Sequence, residues 1–405
     1  MTPSLAPRLV DAAFFADPYA AYQALREAGP LHWSEEFFGG AWLLTRHADV
    51  EAVLRDPRFS ARRTGGWVND VQARRGELAG FQQLFARALL FLDAPEHTRV
   101  RALLQPAFRP EALQRLRPRI EALADALLDA IDGREPFDAI ARLARPLPVQ
   151  VVSLLLGIDT APRDDVMRWS DDLAAFIGAP QPTRDLALRA QTSLLDMTRY
   201  FQAELQRSVR PHASGLVAQL LQARERGALK DDAECLAQCA MLLFAGHETT
   251  RNLLGNGLLA LLSHREQWQL LRDAPERIPG AVRELLRFDS PVQYTGRRVT
   301  TALQLHGQTL QRGDLVLLLI GSANRDPLRH PHPDRLDVLR PDPGSLAFGS
   351  GVHACLGAAL TRLEAEIVLR RLLQRWPGLR LAQTAPRWLD NPAYRGLHSL
   401  WLRAA

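Results

Sequence analysis

Residues 348–357 read Phe-Gly-Ser-Gly-Val-His-Ala-Cys-Leu-Gly, which sets one cysteine between glycines and just ahead of a long helical pattern. Leu360, Leu363, Ile367, Leu372 and Leu373 recur behind it at the spacing of one helix face. Gly349 and Gly351 let the backbone turn tightly, and the missing side chain at Gly357 leaves room for something bulky to lie close. Free amides and the positive dipole end at a helix start favour an anion, so Cys355 is placed to be a thiolate. Thiolates in such places attack substrates or hold a metal. A buried cysteine packed in a glycine-rich turn is the alternative that Cys355 alone leaves open.

The 405 residues, 47% of them hydrophobic, are enough to bury a substantial core. Helical periodicity dominates, with the most continuous pattern over 231–263, and strand-like segments are short and peripheral, at 41–45 and 314–320. Irregular stretches at 64–92 and 178–182 are candidates for mobile elements over a pocket. No linker or repeat divides the sequence, so a single domain over 1–405 is expected. No run of about 18 apolar residues occurs, and the N-terminus lacks a charged-then-apolar signal pattern. A soluble, cytoplasmic monomer with no membrane attachment is therefore expected. Three cysteines suit a reducing compartment. Cys235 and Cys239, one helical turn apart in an apolar stretch, read as core packing, since two thiols make a poor zinc site. The formal charge of +5 is scattered, with no basic run interleaved with aromatics, which argues against nucleic-acid binding.

Three further constellations stand out. Met241, Ala245 and Thr249 share a face of the long helix, with Glu248 beside it. Glycine and paired threonines are poor helix formers, and a threonine hydroxyl can capture a main-chain carbonyl, so a bulge is expected near Gly246. An acid beside an alcohol suits proton delivery; the alternative is that Thr249 caps its own backbone and Glu248 pairs with an arginine. Glu284 and Arg287 stand at i and i+3, a spacing for a helical ion pair. His97 and Arg101 share a helix face behind Asp93-Ala94-Pro95-Glu96, a plausible helix start.

The pattern Phe-Gly-x-Gly-x-His-x-Cys-x-Gly matches the haem-ligand signature of the cytochromes P-450, the haem-thiolate monooxygenases. Other landmarks that resemble this family follow in its order: His97-Thr98-Arg99-Val100-Arg101, Ala245-Gly246-His247-Glu248-Thr249-Thr250, Glu284-Leu285-Leu286-Arg287 and Asn324-Arg325-Asp326-Pro327. The resemblance implies a mainly α fold in one large helical domain with small peripheral sheets. It implies haem b, with Cys355 as the axial ligand to iron. His97, Arg101, His353 and an arginine in the strand after the Glu-x-x-Arg helix would hold the propionates. Arg298 fits that last place best, with Arg297 one register away. Phe348, Gly349 and Gly357 would lie against the haem, and Ala245 with Gly246 would form an oxygen groove above it.

By the same resemblance Glu248 and Thr249 deliver protons to dioxygen, and Glu284, Arg287 and Arg335 form a buried structural triad. Leu336 stands where the family usually has an aromatic residue. Met241, Phe244, Val292, Gln293, Tyr294 and Leu397 are the substrate candidates; Tyr294 reads equally as a core tyrosine. Most are apolar, which implies an apolar small molecule, and a secondary metabolite by analogy with the soluble bacterial members. No flavin or ferredoxin segment is read in the sequence, so a ferredoxin and its reductase are the expected electron donors, docking at Arg99, Arg109 and Arg362. Two rivals are a haem-thiolate peroxygenase or isomerase, against which the intact Glu248-Thr249 pair counts, and a non-catalytic haem protein.

Overall fold

The computed structural model describes residues 8–63, 76–158, 163–207, 215–341, 344–383 and 385–404. The sequence candidates at 64–75 lie outside them. The elements that frame the site are helices α1 (Glu96–Leu104), α2 (Pro110–Asp129), α3 (Pro146–Leu156), α4 (Arg163–Gly178), α5 (Arg184–Arg207), α6 (Asp232–Ser263), α7 (Ile278–Phe288) and α8 (Ala358–Arg375).

Helix α6 is the axis of the molecule. It packs against α3, α4, α5, α7 and α8, and residues from Cys235 to Leu262 are buried all round it. A helix buried on most of its sides has only an interior in which to lie. Its start is fixed by Asp231, whose carboxylate accepts the amide of Glu234 at 2.8 Å. Thr249 captures the carbonyl of Ala245 at 2.9 Å, yet α6 runs as uninterrupted α-helix. The expected bulge does not form. The glycine within it serves close packing: a Cβ on Gly246 would meet Val152 Cγ2 of α3 at 2.4 Å. Cys235 and Cys239 are both fully buried in this core.

A five-stranded sheet flanks the helices. In its order β1 (Leu31–Ser34) and β2 (Ala41–Leu44) are followed by Leu315–Leu318, Thr295–Val299 and Phe59–Ser60. In chain order these last three are β5, β4 and β3. Strand β2 runs parallel to β5, with Trp42 opposite Val316, and β4 runs antiparallel to β5, with Arg298 opposite Leu315. A second apolar cluster, including Leu44, Val50, Val316 and Leu318, packs on this sheet.

The segment after Gly76 is more ordered than its composition suggests. Residues 79–85 form about two helical turns because Phe81 and Phe85, four residues apart, stack at 4.3 Å and are both buried. At 178–182, Gly178 lies where a Cβ would collide with Asn391, and the carbonyl of Pro180 accepts the Phe38 amide at 2.8 Å. Among the described residues no helix is long and apolar enough to cross a membrane.

Candidate active site

The cysteine loop is held by its own backbone. The Cys355 amide donates to Phe348 O at 2.8 Å, Gly349 N to Leu346 O at 2.8 Å and Ala354 N to Gly351 O at 3.1 Å. Gly349 and Gly351 sit at φ of 68° and 72°, where only glycine is unstrained. At Gly351 a Cβ would also press on Leu54 O at 3.0 Å. Ser350 accepts the Arg55 Nε at 2.8 Å and pins the loop to the neighbouring helix.

This loop delivers Cys355 to the wall of a cavity of about 320 Å³ between α6 and α8. Although the residue has accessible surface, that surface faces the cavity, and burial pushes the thiol up. The amides of Gly357 and Ala358, with the guanidiniums of Arg101 and Arg362, act in the opposite direction. Across the same cavity lie Met241, Phe244, Ala245, Gly246 and Thr249 of α6. The α6 face read from the sequence and the cysteine loop therefore address one space.

Cations gather on one side. His97 and His353 approach at 4.1 Å between ring centroids, and both line the cavity together with Arg101 and Arg297. Burial, then Arg297 and His97, push the His353 imidazole down to about 3; burial, then Arg101, lowers His97. The arginine of strand β4 that reaches this cluster is Arg297, not Arg298. Successive side chains of a strand point to opposite faces: Arg297 is buried, whereas Arg298 faces outward and donates to Gly313 O at 2.8 Å. Burial brings the Arg297 guanidinium down to about 10.

The structural triad also needs a correction. Glu284 and Arg287 are wholly buried and paired bidentately at 2.7 and 2.8 Å. The third side chain is Arg340, whose Nε lies 3.2 Å from Glu284 Oε2. Arg335 contributes only its carbonyl, which accepts Arg287 Nη2 at 3.3 Å, and its side chain is exposed. The loop carrying both arginines wraps round Arg287, which also donates to Asn324 O and Pro333 O. Asn324 in turn accepts the Leu346 amide at 2.8 Å and so ties this cluster to the start of the cysteine loop.

Glu248 points away from the cavity. It is buried on the reverse side of α6, with Arg251 Nη1 at 3.2 Å and Asn252 Nδ2 at 3.1 Å. Arg251 reaches on to Asp171 at 3.4 Å, and Asp171 pairs with Arg145. Glu248, Arg251 and Asp171 border a second cavity of about 470 Å³ with Asp390 and Asn391. Burial, with Asp171, raises the Glu248 carboxyl above its ordinary range, opposed by Arg251. Both bonds of the alternative reading, Thr249 to its own backbone and Glu248 to an arginine, are thus present.

Of the substrate candidates, Met241, Phe244, Val292 and Tyr294 line the first cavity, but Gln293 and Leu397 do not. Gln293 turns back to donate to Ser290 O at 2.7 Å, and Leu397 is core, 1% exposed. Arg99 is committed to Glu234 of α6 and to Ala228 O, which removes it from the free surface expected of a docking residue; Arg109 is exposed. Sequence reading missed Arg63, Gln238, Tyr394 and Glu364, all on the cavity wall. Gln238 had a signal, one turn before Met241 on the same helix face; the others had none.

These residues fit a haem. A Cβ on Gly357 would find only Phe108, at 3.9 Å, so its bare face opens onto the cavity. The wall presents one thiol donor, apolar surfaces and guanidiniums for two carboxylates. Comparison with known proteins agrees. The Cytochrome P-450 family model matches residues 44–278 and 278–379. The chain is 38% identical to cytochrome P-450 107B1 of Saccharopolyspora erythraea over 411 aligned positions, covering 100% of this chain and 99% of the relative. It is 36% identical to the polyketide biosynthesis cytochrome P-450 PksS of Bacillus subtilis, covering 96% of each. The tirandamycin C-bound monooxygenase TamI superposes with a TM-score of 0.87 at 35% identity, over 98% of this chain and 99% of TamI. The chain belongs to the cytochrome P-450 family of haem-thiolate monooxygenases.

Proposed function

We propose that the protein binds haem b through Cys355 and hydroxylates or epoxidises a mainly apolar small molecule, a secondary metabolite, with dioxygen and electrons from a separate ferredoxin and reductase in the cytoplasm. The observation that carries this reading is the opposition of Cys355 and Thr249 across one apolar cavity. The polyketide named for PksS and the ligand bound to TamI support the substrate class.

Haem bound to Cys355 supplies dioxygen activation and the transfer of one oxygen atom; the second oxygen leaves as water, at the expense of two electrons and two protons. Arg101, Arg297, His97 and His353 would hold its propionates. Phe348, Gly349 and Gly357 would bound it on the cysteine-loop wall of the cavity, and Ala245 and Gly246 on the α6 wall. Thr249 lines the cavity with its hydroxyl donating to Ala245 O, and would pass a proton into the cavity from Oγ1. Glu248, whose carboxyl burial raises against the pull of Arg251, would resupply that proton from the second cavity once Arg251 yields its hold. Met241, Phe244 and Val292 exclude water and hold the substrate carbon in place. Arg109 and Arg362 form the landing surface for the ferredoxin.

Turnover with isotopically labelled dioxygen, reduced ferredoxin and a panel of apolar metabolites tests the reading. One labelled oxygen per product is expected. Product made with peroxide, and none with dioxygen and reduced ferredoxin, would instead select the peroxygenase reading.

A further inference from the structure

The acid and the alcohol of α6 address different spaces. Glu248 borders the second cavity and Thr249 lines the first. The Thr249 hydroxyl donates to Ala245 O at 2.9 Å, and the Glu248 carboxylate accepts from Arg251 and Asn252, so the two side chains do not bond to each other. A proton that starts on Glu248 needs a further group, able both to accept and to donate, before it reaches the first cavity.

The segment 390–397 forms a partition between the two spaces. Asp390 and Asn391 border the second cavity, and Ala393 and Tyr394 line the first. Asn391 Oδ1 accepts the amides of Ala393 and Tyr394, each at 3.0 Å, and Asn391 Nδ2 donates to Ala174 O of α4 at 3.0 Å. The partition is fastened to α6 beside Glu248. Arg251 Nη2 donates to Leu397 O at 3.3 Å and Asn256 Nδ2 to Arg395 O at 2.9 Å. Gly396 lies against Asn252, which itself donates to Glu248 at 3.1 Å; a Cβ on Gly396 would collide with that amide.

Tyr394 is the hydroxyl of this partition. Its ring stands edge-on to Phe244 at 6.2 Å, and Phe244, Glu248 and Asn252 follow one another at single-turn spacing along α6. The packing of Tyr394 on Phe244 and of Gly396 on Asn252 thus brackets Glu248 from the turn before and the turn after. Burial raises the Tyr394 phenol above its ordinary range, Arg63 opposes this, and the Glu248 charge adds to it. The phenol stays neutral, with one proton to give and lone pairs to accept another. Tyr294, the other phenol on the wall, stands edge-on to Phe37 at 5.5 Å and interacts with Tyr394 and Arg63.

We propose that the Tyr394 hydroxyl is the relay that carries a proton from Glu248 across the partition into the cavity it shares with Thr249. The inference rests on the haem-thiolate reading and adds a residue to its proton path. As Glu248 gives its proton to Tyr394 Oη, the phenol releases its own into the first cavity and remains uncharged. Glu248, left as a carboxylate, regains a proton from the second cavity. Tyr394 thereby joins two cavities that α6 alone keeps apart.

Infrared spectroscopy of the ferric holoenzyme tests the link. In acid the protonated Glu248 carboxyl gives a C=O stretch, identified by its loss in Glu248→Gln. Tyr394→Phe keeps the ring on Phe244 but removes the hydroxyl, and it should shift this band to higher frequency; Tyr294→Phe should leave the band in place. Turnover with reduced ferredoxin and styrene gives the second readout. Tyr394→Phe should lower styrene oxide per electron pair by up to about 100-fold, with peroxide released in its stead. Because residues of one relay act as a unit, adding Glu248→Gln should cost no more than the larger single change. An unmoved carboxyl band, or losses that multiply in the double variant, would overturn the proposal. Weaker styrene binding with coupling unchanged in Tyr394→Phe would also overturn it, by making Tyr394 a substrate contact. Failure of the wild-type chain to take up haem would instead refute the underlying reading.

Discussion

The two sides of the haem cavity are built by different physics. The cysteine side is a web of hydrogen bonds and ion pairs: the glycine turns about Cys355, the Glu284–Arg287–Arg340 cluster and the Asn324 bond to Leu346. The opposite side is apolar packing of side chains from segments far apart in the chain, among them Phe38, Leu89, Val152, Ile177, Phe244 and Tyr394. Directional bonds hold one geometry and tolerate little change, whereas an apolar wall accepts volume-conserving exchange. Chemistry is therefore fixed on the cysteine side, and choice of substrate is free to vary on the other.

That contrast breaks if variants on the cysteine side leave haem chemistry intact. The largest effect is expected for Cys355→Ala: loss of the thiolate-type spectrum and of monooxygenation, with helical circular dichroism retained. Glu284→Gln leaves two arginines without an anion and should destabilise the fold by about 3–5 kcal/mol, read by urea unfolding of the holoprotein. On the same assay Arg340→Ala should cost about 1.5–3 kcal/mol and Arg335→Ala no more than about 0.5 kcal/mol. A large cost at Arg335 would restore it to the triad.

Across the cavity, Thr249→Ala should keep haem and ligand binding but lower product per electron pair by up to about 100-fold, the lower end of what general acid catalysis supplies. Released peroxide measures the difference, and fully coupled turnover would remove Thr249 from proton delivery. Arg297→Gln should weaken haem retention about tenfold, and Arg298→Gln should leave it unchanged, as read by haem loss to apomyoglobin.

A further effect concerns acid. Burial, then Arg251 and Arg145, push His247 down to about 3, below its value of about 6.5 in the unfolded chain. The unfolded state thus binds the extra proton between those values. His247 contributes stability above about pH 6.5 that is lost as the pH falls toward 3, by at most about 1.4 kcal/mol per pH unit. Urea midpoints at about pH 7 and pH 5 should fall less in His247→Gln than in the wild type.

What could be read in advance follows the same division. Cys355, His97, Glu284 and Arg287 lie in runs where side-chain spacing on one element carries the information, and the long helix announced itself by continuous helical periodicity over 231–263. Arg297 and Arg298 could not be told apart because both faces of a strand are offered until its pairing with β5 is known. Arg335 and Arg340 share a loop without periodicity, so only the folded path shows which guanidinium returns to Glu284. The side of α6 on which Glu248 sits depends on α3 and α4 rather than on its neighbours in sequence. Arg63 and Tyr394, 331 positions apart by number, meet only through the sheet and the chain after Asn391.

The sulfur–iron bond remains the claim on which the rest stands, and the carbonyl spectrum of the reduced holoprotein addresses it most directly. The wild type should show the red-shifted Soret band of a thiolate-ligated ferrous carbonyl haem. A band of the imidazole-ligated kind, or a protein that carries no haem at all, would contradict it.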